Sequence, residues 1–387
     1  MNFALLGSFG ENNLGDEAIL EAIILDIFKF ESESTIHVFT HDIEDSKTRF
    51  VRFSNVQFHP MIATGFRSII KQLLSGDLLK NIKVLKSVNL ISIGGGGLFY
   101  DSEKTIGLNP IFIWFLRILL FRLLNKKIVI NAVGIGPIKS NFSKILLRFS
   151  MNLVHGITVR DKASEEFLRS LRVYRPITLT KDYAFTLNLK ERSSDDIKKN
   201  PLLKFTAKKI MGIQVRSIKG IKDTELINKM VDFIDLMISK YLFSIVLIPM
   251  ALKDDQDKIL AEKIQIRSKN ENQIEVYVPK TIHDVGNVFQ ECDSLILTRY
   301  HSIIVASKLG LPFIALSYSS KTDEVIKDLE FGDYCWPIFD IETNVLKRLY
   351  LNLTQKKVTL RKHLKDKVKI LEALASKNQN LYLLSRD

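Results

Sequence analysis

Two cysteines in 387 residues, Cys292 and Cys335, are too few for a disulfide framework, and neither stands in a Cys-x-x-Cys pair of the metal-binding kind. A reducing, cytoplasmic setting is therefore the expectation. Nine prolines and 18 glycines leave no Pro/Gly/Ser-rich tract, and no short repeat recurs, which argues against a disordered or repeat-built chain. Long apolar runs are missing too. The most apolar stretch, residues 110–124, is interrupted by Arg117 and Arg122 and falls short of a bilayer-crossing length. It reads as a buried helix, with a rest on an anionic membrane surface as the other reading. The start, Met1-Asn2-Phe3-Ala4-Leu5-Leu6-Gly7, lacks the basic flank and cleavage site of a signal peptide and reads as a first buried strand. The seven histidines form no ligand pattern, so no metal is expected.

What the chain has in excess is positive charge. A net charge of +13 concentrates anions near the surface: phosphates, acidic polymers or anionic headgroups. Neither zinc-finger spacing nor an RRM-type aromatic motif is present, so no nucleic-acid partner is expected. The length exceeds what one core usually organises, and the apolar fraction of 46% is ordinary for a globular protein.

Apolar, β-branched runs of strand length alternate with segments of helical period, the pattern of parallel sheets wrapped by helices. In the first half the strands fall at 3–6, 36–39, 90–93, 128–132 and 156–159, with helices at 16–28, 68–85 and 110–124. The pattern breaks at the polar stretch 191–209, the expected linker. It restarts with strands at 210–215, 244–248, 274–278, 294–297 and 312–316, and helices between them. The expected fold is α/β: two Rossmann-like domains facing a cleft, over residues 1–190 and 210–350, with a helical segment at 351–387. Ligands in such folds sit at the carboxyl ends of strands, so the loops there hold the candidates.

After the first strand, Gly7-Ser8-Phe9-Gly10-Glu11-Asn12-Asn13-Leu14-Gly15-Asp16-Glu17 leads into a helix. Glycines let backbone N–H groups approach an anion at the helix N-terminus, making Gly10, Asn13 and Gly15 candidates. An ordinary strand–helix turn fits equally, with Asp16 and Glu17 as first-turn acids that complement the dipole. Gly94-Gly95-Gly96-Gly97 follows another buried strand and nominates Gly95, Gly96 and Gly97 for close approach by a ligand or another backbone. Gly134-Ile135-Gly136-Pro137 follows a third.

Cations collect at the same ends. Arg160 closes the strand 156–159, where it suits a carboxylate or phosphate or, equally, an internal pair with Asp161. Arg216 stands at the corresponding place in the second half. Thr298-Arg299-Tyr300-His301-Ser302 ends one strand, and Lys321 follows the next. An imidazole with an intrinsic pKa near neutrality, two residues from an arginine and in register with a lysine, suits proton transfer beside an anion.

Taken together, Asn13-x-Gly15-Asp16-Glu17-Ala18, the run 94–97, Val133-Gly134-Ile135-Gly136-Pro137, Val159-Arg160-Asp161, Asp182-Tyr183-Ala184-Phe185 and Arg299-x-His301-Ser302 with 312–321 resemble the polysaccharide pyruvyl transferase family. The resemblance spans both halves. It implies a GT-B-like architecture in which a C-terminal helix crosses back to the first domain. It implies phosphoenolpyruvate as donor and a sugar of a cell-surface polysaccharide or its lipid-linked precursor as acceptor, joined as a pyruvate ketal without a cofactor. On that basis His301 is the expected general acid and Asp16 the expected base or sugar-orienting group, with Arg160, Arg216, Arg299 and Lys321 holding the donor anion. Two rival readings are a GT-B-like glycosyltransferase using a nucleotide sugar and a non-catalytic glycan- or membrane-surface-binding protein.

Overall fold

A computed structural model describes residues 1–101, 109–189, 209–218, 220–251 and 256–386. The chain divides into two compact units. One comprises Met1–Glu11, Ile19–Thr186 and Glu372–Asp387; the other comprises Asn12–Ala18 and Leu187–Leu371. The expected linker at 191–209 lies, but for Lys209, outside the described residues.

The first unit is built on seven strands, β1 (Asn2–Leu6), β2 (Thr35–Thr40), β3 (Val56–Pro60), β4 (Leu90–Phe99), β5 (Lys127–Ile135), β6 (Gly156–Val159) and β7 (Ile177–Leu179). They lie in the order β3-β2-β1-β4-β5-β6-β7, and every neighbouring pair is parallel. The second unit holds β8 (Lys209–Ile213), β9 (Phe243–Leu247), β10 (Ile274–Val276), β11 (Ser294–Leu297), β12 (Phe313–Ser317) and β13 (Cys335–Pro337), ordered β10-β9-β8-β11-β12-β13 and again all parallel. Parallel strands need helical crossovers that cover both faces, which is why the central strands read as largely apolar runs. Strand order reverses beside β1 and beside β8, the places where such sheets open a ligand crevice at their carboxyl edge. Both units are therefore Rossmann-like.

Two local expectations change, and a third, the buried helix over 110–124, holds. The helix expected over 68–85 is two helices, Phe66–Leu74 and Asp77–Ser87, separated at Gly76, whose φ of 73° no right-handed helix accepts. The run 94–97 is not a loop after a strand. It continues β4 in register, Gly94 opposite Asn131 and Gly96 opposite Val133, before the pairing shifts ahead of Phe99. The apolar run with two arginines is the helix Pro110–Leu123, capped by Asn109, and it belongs to the core through Ile111, Trp114, Ile118 and Phe121. Its arginines turn to the protein. Arg117 is buried, donates from Nε and Nη2 to the Ile62 carbonyl at 3.2 and 2.9 Å, and stacks over Trp114. Arg122 meets His155 Nε2 at 3.0 Å. Leu119 and Leu123 are its exposed apolar side chains.

The chain ends in a helix, Lys357–Ala375, and a 3₁₀ segment, Ser376–Ser385, whose contacts lie in the first unit. Thr180 Oγ1 donates to Asn378 Oδ1 at 2.7 Å, Asn378 Nδ2 to the Lys181 carbonyl at 3.0 Å, and the hydroxyls of Tyr183 and Tyr382 meet at 2.8 Å. Leu381 and Leu384 fill the space a side chain at Gly156 would need. No described helix is long and apolar enough to cross a membrane.

Candidate active site

In the second unit three adjacent strands deliver the candidates to one carboxyl edge. β8 runs into Gln214-Val215-Arg216, β11 into Thr298-Arg299-Tyr300-His301, and β12 into Tyr318 and the helix Ser320–Asp328 that carries Lys321. Because β11 lies between β8 and β12, Arg299 and His301 leave the sheet between the strands that supply Arg216 and Lys321.

His301 sits in the first turn of the helix Tyr300–Lys308, which has no side-chain cap of its own. Gln214, wholly buried, supplies the missing acceptor: its Oε1 takes the amides of Arg299 at 2.7 Å and Thr298 at 3.1 Å, and the Thr298 hydroxyl at 2.8 Å. That side chain fixes the turn from which His301 projects. The edge of the His301 ring's neighbour, Tyr300, meets it at right angles, 5.1 Å between centroids.

The surface under the imidazole comes from far away in sequence. A Cβ added to Gly15 would lie 2.0 Å from His301 Nδ1, so the ring rests on the Gly15 backbone. Segment Asn12–Ala18 groups with the second unit because it is pinned there: Asn13 bridges Ala251 in antiparallel fashion, and the Leu14 amide donates to the Met250 carbonyl at 3.3 Å. Asn13 Nδ2 donates to Asp16 Oδ2 at 2.7 Å, and Asn13 Oδ1 accepts the Gly15 amide at 3.2 Å, a turn that orients the Asp16 carboxylate. The structure thus brings His301, Gly15, Asn13 and Asp16 into one unit, though all of them but His301 were expected in the first domain.

Arg299 is committed inward. Its Nε and Nη2 grip Asp257 Oδ2 and Oδ1 at 2.7 and 2.8 Å, a two-point fork on a carboxylate that is itself buried. Asp257 Oδ2 also accepts the Ala251 amide at 3.1 Å, so one carboxylate ties Arg299 to the strip that holds Asn13. Arg216 is partly exposed; its guanidinium lies over the Tyr318 ring at 4.5 Å and its Nη1 donates to the Tyr318 hydroxyl. Lys321 is exposed in the first turn of its helix.

The remaining candidates lie in the first unit. Arg160 is buried, with Nη1 on Asp182 Oδ2 at 2.7 Å and Nε at 3.9 Å from Asp161; its internal partner is chiefly Asp182, and Gly134 leaves room for its guanidinium. Gly10 has φ 73° and packs its α-carbon against Thr40 Oγ1, where a Cβ would lie at 2.1 Å. Gly95, φ 79°, leaves room for the Ile19 methyl, which a Cβ would meet at 2.1 Å. Gly96 has φ 80°, and both it and Gly97 lie in β4. At Gly10 and Gly95 the missing side chain is used by internal packing. Gln214 and Asp257 are the residues that sequence reading passed over. A glutamine directly after a strand and an aspartate in a first helical turn carry no local signal of the contacts they make. Among the described residues no group of three His, Cys, Asp or Glu side chains is placed to hold a metal.

Comparison with known proteins adds two findings. The profile of the family described as polysaccharide pyruvyl transferase matches residues 13–320. Among solved structures, S. aureus MnaA with UDP superposes with a TM-score of 0.62 at 13% identity, covering 97% of this chain and 93% of that one. The Neisseria meningitidis UDP-GlcNAc 2-epimerase bound to UDP-GlcNAc gives 0.62 at 12% identity over 99% and 98%, and TcCGT1 in complex with UDP gives 0.61 at 10% identity over 100% and 98%. These likenesses show a GT-B-type α/β fold. A search of curated protein sequences finds no match.

Proposed function

The chain belongs to the polysaccharide pyruvyl transferase family, and from that premise we propose that it moves the pyruvyl group of phosphoenolpyruvate onto two hydroxyls of one glycan sugar. The observation that carries this reading is the seating of His301 on Gly15, which puts an imidazole and the Asp16 turn in the same compact unit beside the Arg299–Asp257 fork.

In the proposed reaction, protonated His301 delivers its proton to the methylene carbon of the enol phosphate, leaving C2 electron-poor. A sugar hydroxyl adds to C2 and gives up its proton, with Asp16 orienting the sugar or accepting that proton. The C2–O bond to phosphate then breaks, and a second hydroxyl of the same sugar closes the ketal. Of the two hydroxyl protons, one replaces that spent on the methyl group and the other leaves with phosphate. Arg216 and Lys321 are assigned to the donor's carboxylate and phosphate, where charge grows as the bond breaks. Arg299, held by Asp257, shapes the turn that presents His301 and adds positive potential, while Arg160, paired with Asp182, keeps the carboxyl end of β6 in place.

A nucleotide-sugar donor is the second reading, favoured by the structural neighbours whose descriptions name UDP or UDP-GlcNAc. One experiment separates the two. The protein is incubated with phosphoenolpyruvate, or with UDP-sugars, and a panel of sugar acceptors. Phosphate release matched by an acceptor heavier by one pyruvic acid less water supports pyruvyl transfer. Glycosylated product from the UDP-sugar arm, with phosphoenolpyruvate inert, sinks it.

A further inference from the structure

The helix Phe66–Leu74 is amphipathic the wrong way round for a globular protein. It has no buried residue, and it is tied to the body by its polar side: Gln72 Nε2 donates to the Met61 carbonyl at 2.7 Å, and Gln72 Oε1 accepts the Ala63 amide at 3.1 Å. Phe66, Ile70, Leu73 and Leu74 recur at four- and three-residue steps on the opposite side and face solvent, Phe66 79% and Leu74 83% exposed. Leu79, on the following helix Asp77–Ser87, extends the patch at 57% exposure. Across these two helices stand Arg67, Lys71, Lys80, Lys83 and Lys86 against one acid, Asp77, which lies 3.8 Å from Lys80. Helix Asn141–Leu153, whose Leu147 and Met151 share a core layer with Leu85, repeats the device: Phe142, Ile145 and Phe149 are exposed beside Lys144 and Arg148.

We infer that the Phe66–Leu79 face docks on an anionic phospholipid surface, its large apolar side chains entering the headgroup boundary and its bases meeting lipid phosphates. Exposed apolar side chains set among cations are what such an interface selects. A second copy of this chain fits less well, since a two-fold contact would set Arg67 and Lys71 near their own duplicates. The inference stands apart from the identity of the donor and acceptor, because no residue of this face belongs to the candidate active site.

Flotation of the full chain with vesicles of phosphatidylcholine alone, and with added phosphatidylglycerol, tests it. The expected result is binding only to the anionic vesicles, weakened by salt. Phe66→Ser with Leu74→Ser should lower partitioning by more than about tenfold. Arg67→Gln with Lys71→Gln should lower it by about thirtyfold. All four side chains are exposed, so thermal unfolding of both variants should match the parent protein. Protein that stays in solution overturns the inference. So does equal flotation of parent and Phe66→Ser/Leu74→Ser, which would reveal adsorption by net charge alone. A dimer that the apolar variant dissociates, without flotation, assigns the face to a second copy and overturns it as well.

Discussion

Replacing Gly15 by alanine tests the seating of His301 with the smallest possible change. A Cβ there would stand 2.0 Å from Nδ1, whereas ordinary contact begins at 3.4 Å, so the ring must retreat by about 1.4 Å. The backbone gives no relief, since the Gly15 amide is bonded to Asn13 and the neighbouring Leu14 amide to Met250. For the proton donor proposed at His301, misplacement by about an ångström costs on the order of a hundredfold in rate, so kcat for the proposed transfer should fall by about that factor. Stability should barely move. Gly15 lies in the first turn of a helix, where alanine is intrinsically better by about 1 kcal/mol, which offsets part of the crowding. Gly95→Ala is the matched control: its Cβ would meet the Ile19 methyl at 2.1 Å with φ 79°, in the other unit, so it should lower the unfolding temperature. Phosphate release, acceptor mass and thermal unfolding, measured on both variants, give the answer. Gly15→Ala with kcat within twofold of the parent, or with activity lost only in step with unfolding, would refute the argument.

Two further outcomes follow from buried carboxylates. Asp257→Ala removes the fork partner of Arg299, leaving a largely buried guanidinium, and should reduce unfolding stability by about 3 kcal/mol in urea titrations; an effect under about 1 kcal/mol would mean that the fork is solvated. Asp26 is buried, its Oδ2 has no hydrogen-bond partner, and burial raises its pKa from 3.8 to about 6 despite the opposing Lys29 charge and a Tyr183 hydrogen bond. Because the folded state holds this proton more tightly than the unfolded state, Asp26 favours folding below about pH 4, and that contribution is lost as pH rises through about 6. The loss amounts to about 3 kcal/mol, and Asp26→Asn should flatten that limb of a stability–pH curve; an unchanged limb would assign the slope to other groups.

The two parallel sheets were readable because strands covered on both faces are dominated by apolar residues, as 3–6 and 313–316 are from end to end. Strands β3, β7 and β13 escaped notice because three to five residues at a sheet edge leave too short a pattern. The four glycines of β4 looked like a loop since they carry no side chain to alternate; their strand geometry comes from pairing with β5. Of the candidate site, the cations and His301 could be nominated from the sequence because they stand just past strand ends. What no local pattern could report is that Asn12–Ala18 is held against Ala251 and His301, nor that Gln214 caps a helix beginning at Tyr300. Both depend on contacts more than eighty residues apart, which only the folded sheet brings together.

The 3₁₀ segment near the end of the chain has a consequence for synthesis. Ser385 Oγ reaches Met1 Sδ at 3.3 Å, and Tyr382 is fully enclosed between Phe3, Phe30 and Tyr183. A ribosome that has delivered the first half of the polypeptide has therefore released a body with an open seam. Until Tyr382 emerges, the Tyr183 hydroxyl has Asn131 as a partner but lacks its second, and Phe3 in β1 and Gly156 in β6 lack the cover that Tyr382, Leu381 and Leu384 give them, so the closing of this unit waits on a segment 199 residues beyond Tyr183.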